Sequence, residues 1–255
     1  MADRPPPRTA MVSRVAPVTT NMLRISLGGD GLRDFPAGQK GGYVKLMLRA
    51  QDQIRPVVRT YTIRDQRVGE IDIDFALHAV DGQAGPATRW ALAARPGDEI
   101  AIGGPGPAKP LPAGFDRYFV AGDMTALPAI AANLESLNAN AQGFAAIEIT
   151  HESDRQELRA PKGMAIRWLV NPEPGSRPDL LEAALREQAW PPGETYAWAA
   201  CEFSAMRRLR DLLRDERDLR PEQLYLSSYW KSGLSEENHK IAKREDAMQT
   251  AVSST

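Results

Sequence analysis

Residues 117–130 read Arg117-Tyr118-Phe119-Val120-Ala121-Gly122-Asp123-Met124-Thr125-Ala126-Leu127-Pro128-Ala129-Ile130. A short apolar run ends in Gly-Asp, and a helical pattern follows it. Residues 117–121 predict a buried strand. Residues 125–137 predict a helix with Leu127, Ile130, Ala131, Leu134 and Leu137 on one stripe. The rhythm then repeats, with strands expected at 144–150, 165–170, 195–200 and 223–228 and helices at 178–189 and 203–216. Strands alternating with helices predict a doubly wound parallel sheet covered on both faces.

Towards the N-terminus the period changes. In 70–78, Ile71, Ile73, Phe75 and Leu77 alternate with Asp72, Asp74 and Ala76, the pattern of a half-buried strand. Similar runs lie at 10–18, 22–28, 43–49, 58–64 and 98–102, most of them separated by turns rich in Gly and Pro. Six short strands with such punctuation predict an antiparallel barrel, and 85–94 predicts a short helix between two of them. The two rhythms meet at Pro110-Leu111-Pro112-Ala113-Gly114. The expected domains are therefore 1–113, a β-barrel, and 114–255, an α/β domain with a helical tail.

Composition narrows the chemistry. With 255 residues, 42% apolar and 25% charged, the chain has material for two globular cores. A net charge of −1 gives no reason to expect nucleic-acid binding. No apolar run reaches membrane-spanning length, and Met1 to Pro7 carries no apolar signal region, so the cytoplasm is expected. A lone cysteine, Cys201, excludes an internal disulfide framework and a four-cysteine cluster. His78, His151 and His239 show no metal-ligand spacing. If this chain moves electrons, it does so with a bound organic cofactor.

Three segments can hold one. Arg59-Thr60-Tyr61-Thr62-Ile63-Arg64 places Arg59, Tyr61 and Ile63 on one strand face, a pyrophosphate partner beside a flat ring. Gly85-Pro86-Ala87-Thr88-Arg89-Trp90 opens a helix whose first N–H groups can meet a phosphate. Gly122 to Ile130 sits at a strand-to-helix junction, where doubly wound folds hold ligands. Each alone reads as well as a solvated strand, a tight turn or a capped helix. Cys201 reads as an inert buried thiol, His151 as a solvated loop residue, and Arg207 and Arg210 as members of a salt-bridged surface.

Taken together, these segments resemble the siderophore-interacting protein family of flavin-dependent ferric-siderophore reductases. Arg59 to Arg64 is similar to its R-x-Y-T-x-R signature, Gly85 to Trp90 to its G-P-A-S-R-W segment, and Gly122 to Ile130 to its G-D-E-T-A-L-P-A-I segment. Tyr229-Trp230-Lys231-Ser232-Gly233 is similar to its C-terminal aromatic signature. The chain departs from the family at Ala79-Val80-Asp81-Gly82 and at Cys201, which stands where a glycine is common.

The resemblance implies a ferredoxin-reductase-like fold, an FAD-binding barrel followed by an NAD(P)H-binding domain. It implies electron transfer from NAD(P)H through FAD to a ferric siderophore or other iron(III) chelate. It places FAD on Arg59, Tyr61, Thr62 and Ile63, with His78, Ala87 and Thr88 at the pyrophosphate and Asp123, Thr125 and Ala126 near the adenosine. Tyr229 and Trp230 end the last parallel strand, where an aromatic pair can cover the flavin or receive a chelate. Lys240, Lys243 and Arg244 share a helical face and, with Lys231, form either a basic patch for an anionic chelate or a solvated tail with Glu236 paired to Lys240. A monomer is expected. The rival readings are a flavin reductase, a donor to a partner redox protein, and a non-catalytic siderophore carrier.

Overall fold

The computed structural model describes residues 6–48, 56–77, 79–80 and 83–253. They fall into two compact units. One gathers the described residues up to Pro110 with Pro128–Ser136 and His151–Arg159. The other holds Leu111–Leu127, Leu137–Thr150 and the described residues from Ala160 onward.

In the first unit, strands β1 (Arg8–Thr19), β2 (Met22–Gly28), β3 (Tyr43–Leu48), β4 (Val57–Arg67) and β5 (Glu70–Ala76) are followed by a small ladder of β6 (Ala79–Val80) and β7 (Gln83–Ala84). Helix α1 (Pro86–Ala93) and strand β8 (Glu99–Gly106) complete it. The larger strands close an antiparallel barrel in the order β1-β2-β5-β4-β3-β8. Alternating residues fill its interior: Ile25 and Leu27 from β2, Val44, Leu46 and Leu48 from β3, Ile71, Ile73 and Phe75 from β5. The α1 helix lays Ala87 and Ala91 onto the same core.

The outer face of β5 departs from the sequence expectation. Asp72 and Asp74 are only 2% and 4% exposed. Alternation alone reads them as a polar outer face, but arginines from neighbouring positions cover them. Arg24 donates to both oxygens of Asp74 at 2.6 and 2.7 Å. Asp72 accepts from Ser26 Oγ at 2.6 Å and from Arg67 at 2.8 and 2.9 Å. The arginine stems shield the strand while their forks satisfy the carboxylates.

In the second unit, β9 (Arg117–Gly122), β10 (Gln142–Ile149), β11 (Gly163–Val170), β12 (Thr195–Glu202) and β13 (Leu224–Trp230) form a parallel sheet in the order β11-β10-β9-β12-β13. Helices α3 (Leu180–Arg186) and α4 (Phe203–Arg210) lie between strands along the chain, α5 (Glu236–Ser253) follows β13, and α2 (Leu127–Ser136), between β9 and β10 in sequence, belongs to the first unit from Pro128 onward. The expected helix 203–216 is α-helical only to Arg210, and a π-helical turn carries on over Asp211–Glu216. The turn keeps Leu212 and Leu213 buried beside Leu209.

The α5 helix is held mainly by polar contacts. Its His239 Nε2 lies 2.8 Å from Ser228 Oγ, and Lys243 Nζ donates to Ser227 Oγ at 2.8 Å and to the Ser228 carbonyl at 3.2 Å. Asp246 accepts from Arg210 of α4 at 2.6 and 2.9 Å. Its Ile241 and Met248 stay exposed.

The paired aspartates of β5 set an expectation for stability. Arg24→Met leaves the Asp74 carboxylate buried without its partner and should cost about 3–5 kcal/mol in urea denaturation. The double variant Arg24→Met with Asp74→Leu should recover most of that loss.

Candidate functional site

The sheet order puts a topological switch between β9, whose next strand lies on one side, and β12, which pairs on the other. At such a point the strand ends part and leave room for a ligand. Asp123 stands at the end of β9. Its Oδ1 accepts from the Thr125 N–H at 2.9 Å and the Thr125 hydroxyl at 2.5 Å. Its Oδ2 accepts from the Glu202 N–H at 2.9 Å and the Trp230 Nε1–H at 2.8 Å. Four donors thus fill the acceptor positions of one carboxylate. Burial pushes the Asp123 carboxyl up, and those hydrogen bonds oppose the rise.

Further acidic groups surround it. Glu202 caps α4 through the Ser204 and Ala205 N–H groups, and its other oxygen accepts from Ser232 N at 3.2 Å. Glu148, near the end of β10, accepts from Asn171 Nδ2 at 2.8 Å. Burial, with the nearby charges of Asp123 and Glu202, pushes the Glu148 carboxyl up to about 7. Asn171 in turn accepts from Ser176 Oγ at 3.0 Å, which fixes the loop after β11. Burial and the same carboxylates raise the Cys201 thiol well above its ordinary range, so it stays a thiol and packs as part of the sheet core.

The barrel unit carries the other expected residues. Ile63 is fully buried, and Tyr61 packs against the same core with its ring 4.4 Å from that of Phe75. Phe75 in turn lies 5.6 Å from the Trp90 ring of α1, so an aromatic column joins β4 to the helix. Arg59 and Thr62 are half-buried on β4. The second arginine of the signature is engaged elsewhere. Arg64 donates to Glu135 of α2 at 2.6 Å, and Lys40 reaches the same carboxylate at 2.5 Å. Helix α1 begins after Gly85 with Pro86 in its first turn and no side-chain cap. Ala87 and Thr88, in that first turn, are buried. His78 lies outside the described residues.

At the C-terminus, burial pushes the Tyr229 phenol well above its ordinary range, with Tyr225 adding to the shift. Lys231 Nζ sits 4.4 Å from the centre of the Phe203 ring. Lys240 pairs with Glu236 at 2.7 Å, Lys243 turns to Ser227 and Ser228, and Arg244 is exposed. The cations expected on one face are therefore differently engaged. His151 is exposed and bonds to Ser153, and Arg207 and Arg210 both pair with Asp246. Glu148, Glu202 and Asn171 escaped the sequence reading. A charged residue inside the apolar run Ile147-Glu148-Ile149 was the available signal for the first.

Barrel and doubly wound sheet together define a ferredoxin-reductase-like fold. Residues 115–233 match the family described as siderophore-interacting protein, and 11–54 with 49–109 match the siderophore-interacting FAD-binding domain. The chain belongs to the siderophore-interacting protein family. It is 33% identical to the ferric vibriobactin reductase ViuB of Vibrio cholerae serotype O1, over 92% of this chain and 93% of that protein. It is 26% identical to the NADPH-dependent ferric-chelate reductase of Escherichia coli, over 88% and 92% of the two chains. The crystal structure of the siderophore-interacting protein SipS from Aeromonas hydrophila superposes with a TM-score of 0.83 at 35% identity, covering 96% of this chain and 98% of that one.

The residues present fit an FAD. A half-buried arginine and threonine share a strand with a tyrosine ring, and the same unit offers a helix N-terminus that no side chain caps. That donor set is cationic, hydroxylic and amidic, as a diphosphate and a ring with polar edges require.

Glu148 gives this site a pH signature. Its folded-state value of about 7 lies above the ordinary 4.5, so the folded form keeps a proton that the unfolded chain releases. Stability from this group is full below about pH 4.5 and is lost as pH rises towards 7. Glu148→Gln should leave stability unchanged at pH 4 and raise it at pH 8 by up to about 3 kcal/mol, measured by urea denaturation at both values.

Proposed function

We propose that this chain is a cytoplasmic, monomeric flavoprotein that reduces ferric siderophores with electrons from NAD(P)H. In this reading residues 1–113 bind FAD and residues 114–255 admit the nicotinamide nucleotide. The observation that carries it is full-length similarity to a ferric vibriobactin reductase together with the donor set retained on β4 and α1. A carrier would have no use for that donor set, which separates it from the reductase reading.

Bound FAD would supply the conversion between a two-electron hydride and the one-electron steps that iron(III) takes. The chain's own residues do the positioning. Arg59 places a permanent cation against the diphosphate, and the first-turn N–H groups at Ala87 and Thr88 add neutral donors. Thr62 offers a hydroxyl to the polar edge of the ring system, while Tyr61 and Ile63 set its apolar floor. Thr125 and Ala126, in the turn held by Asp123, line the adenosine end, and Tyr229 and Trp230 cover the flavin or receive the chelate. No side-chain acid or base is required, because the acceptor takes electrons alone. Iron(II) is held less tightly than iron(III) by hard oxygen ligands, so reduction itself releases the metal. Exposed Arg244 would attract an anionic chelate, while Lys231 stands over the Phe203 ring, Lys240 pairs with Glu236 and Lys243 is held by Ser227 and Ser228.

The purified protein should be yellow, and chromatography of the heat-released cofactor should show FAD. FMN alone would contradict the two-phosphate site. Arg59→Ala should weaken FAD binding by roughly 1.5–3 kcal/mol, about ten- to a hundredfold, read as flavin lost on dialysis. Anaerobic NAD(P)H oxidation with a panel of ferric chelates tests the reaction. A flavin reductase would oxidise NAD(P)H with free flavin and ignore the chelates.

A further inference from the structure

The side of α5 that meets the sheet brings two basic side chains to one residue of β13. His239 Nε2 lies 2.8 Å from the Ser228 hydroxyl oxygen, and Lys243 Nζ donates to the Ser228 carbonyl at 3.2 Å and to the Ser227 hydroxyl at 2.8 Å. His239 is 4% exposed, and both serines are buried. Other charged groups face the imidazole from the elements around it. Lys231, just after β13, stands over the same Phe203 ring that His239 meets edge-on. Glu202 and Glu236 are the nearby anions, but Glu202 holds the N–H groups of Ser204, Ala205 and Ser232, and Glu236 pairs with Lys240. Arg207 and Arg210 of α4 are paired with Asp246. The His239 N–H donates to the Ser235 carbonyl at 2.8 Å, so its ring hangs on the first turn of α5, where the helix dipole opposes a cation.

We propose that His239 is a proton-operated latch for α5: the neutral imidazole seats the helix on β13, and the imidazolium, formed beside the Lys243 ammonium in a buried seat, releases it. The latch goes beyond the reductase reading and does not depend on it. On that reading its place matters, because Ser227 and Ser228 run directly into Tyr229 and Trp230, and a released helix uncovers the strand that carries them.

The direction of the response follows from the surroundings. Burial, reinforced by Lys243 and Lys231 and opposed by Glu236 and Glu202, holds the imidazole below its ordinary 6.5. The released helix therefore takes up the proton first. The seat is at full strength above about pH 6.5 and weakens as pH falls below that value. Burial lowers the Lys243 ammonium too, which acts in the same direction. Asp246, held below the usual carboxylate range by Arg210, keeps its charge in this window.

The test uses the full-length protein with a nitroxide spin label on exposed α5 at Met248→Cys, since Cys201 is buried and out of reach of the reagent. Between pH 8 and pH 5 the ratio of mobile to immobile label should rise roughly tenfold. His239→Gln keeps a hydrogen-bonding amide that takes no proton, and its label should stay immobile across the range. Lys243→Met removes the neighbouring cation and should cut the rise to about threefold or less. Glu148 titrates at about 7 but lies on β10, so Glu148→Gln should leave the rise intact. If His239→Gln is mobile throughout, NMR titration of the wild-type imidazoles decides, and the His239 signal should titrate below 6.5. A constant wild-type ratio, a rise that survives His239→Gln, a rise lost in Glu148→Gln, or a His239 imidazole that titrates at or above 6.5 overturns the proposal. None of these readouts involves turnover, so a protein that reduces no chelate would sink the reductase reading and leave the latch standing.

Discussion

One buried carboxylate gathers the ligand end of the parallel sheet. Asp123 ends β9, and its donors come from the turn leading to α2, from the last residue of β12 and from the last residue of β13. A carboxylate removed from water is costly unless its lone pairs are filled, and here four donors fill them. The cost is what makes the arrangement specific. A displaced strand end would leave an anion unsatisfied in the interior, so the correct register is selected against near alternatives. Glu202 repeats the device one strand away, capping α4 while holding the Ser232 N–H.

The barrel solves a similar problem with opposite charges. Its β5 strand buries two aspartates under Arg24 and Arg67, and its β4 strand sends Arg64 to Glu135 beside Lys40. Burial alone would raise the Glu135 carboxyl, but the hydrogen bonds from Arg64 and Lys40 outweigh it and hold it below the usual range. The strand carrying Arg59, Tyr61 and Thr62 is thereby tied down at its far end. Tyr61, Phe75 and Trp90 tie the same strand to α1 through ring contacts. Two candidate ligand elements, a strand and a helix N-terminus, are fixed to one core.

Much of this was legible in the sequence because periodicity reports directly on burial. The alternation in β5 pointed to the barrel, and the stripe Leu127, Ile130, Ala131 and Leu134 pointed to α2, all four being buried. Family signatures brought Arg59, Thr88 and Trp230 to notice. The rest depended on contacts between distant residues. Nothing local to Asp74 says that Arg24, 50 positions earlier, will cover it. Nothing near Trp230 says that its partner lies 107 positions away at Asp123. The partner of Arg207 and Arg210 is Asp246 on α5, whereas the sequence offers Asp211, Asp215 and Glu216 first. Lys243 falls on the helical face with Lys240 and Arg244, but its long flexible stem lets the ammonium turn to two serines of β13.

The seating of α5 has a dynamic consequence. Folded chains open in pieces, and a piece opens most readily when little apolar surface is lost with it. Hydrogen bonds to serines, the pairs of Arg207 and Arg210 with Asp246 and the edge contact of His239 with Phe203 anchor this helix, while Ile241 and Met248 already face water. A neutral hydrogen bond contributes only about 0.5–1.5 kcal/mol net, and one to a charged group about 1.5–3 kcal/mol. The terminal helix therefore forms a low rung of the stability ladder. Its amides exchange from a locally detached state, while the strands bound through Asp123 exchange only when the whole unit opens.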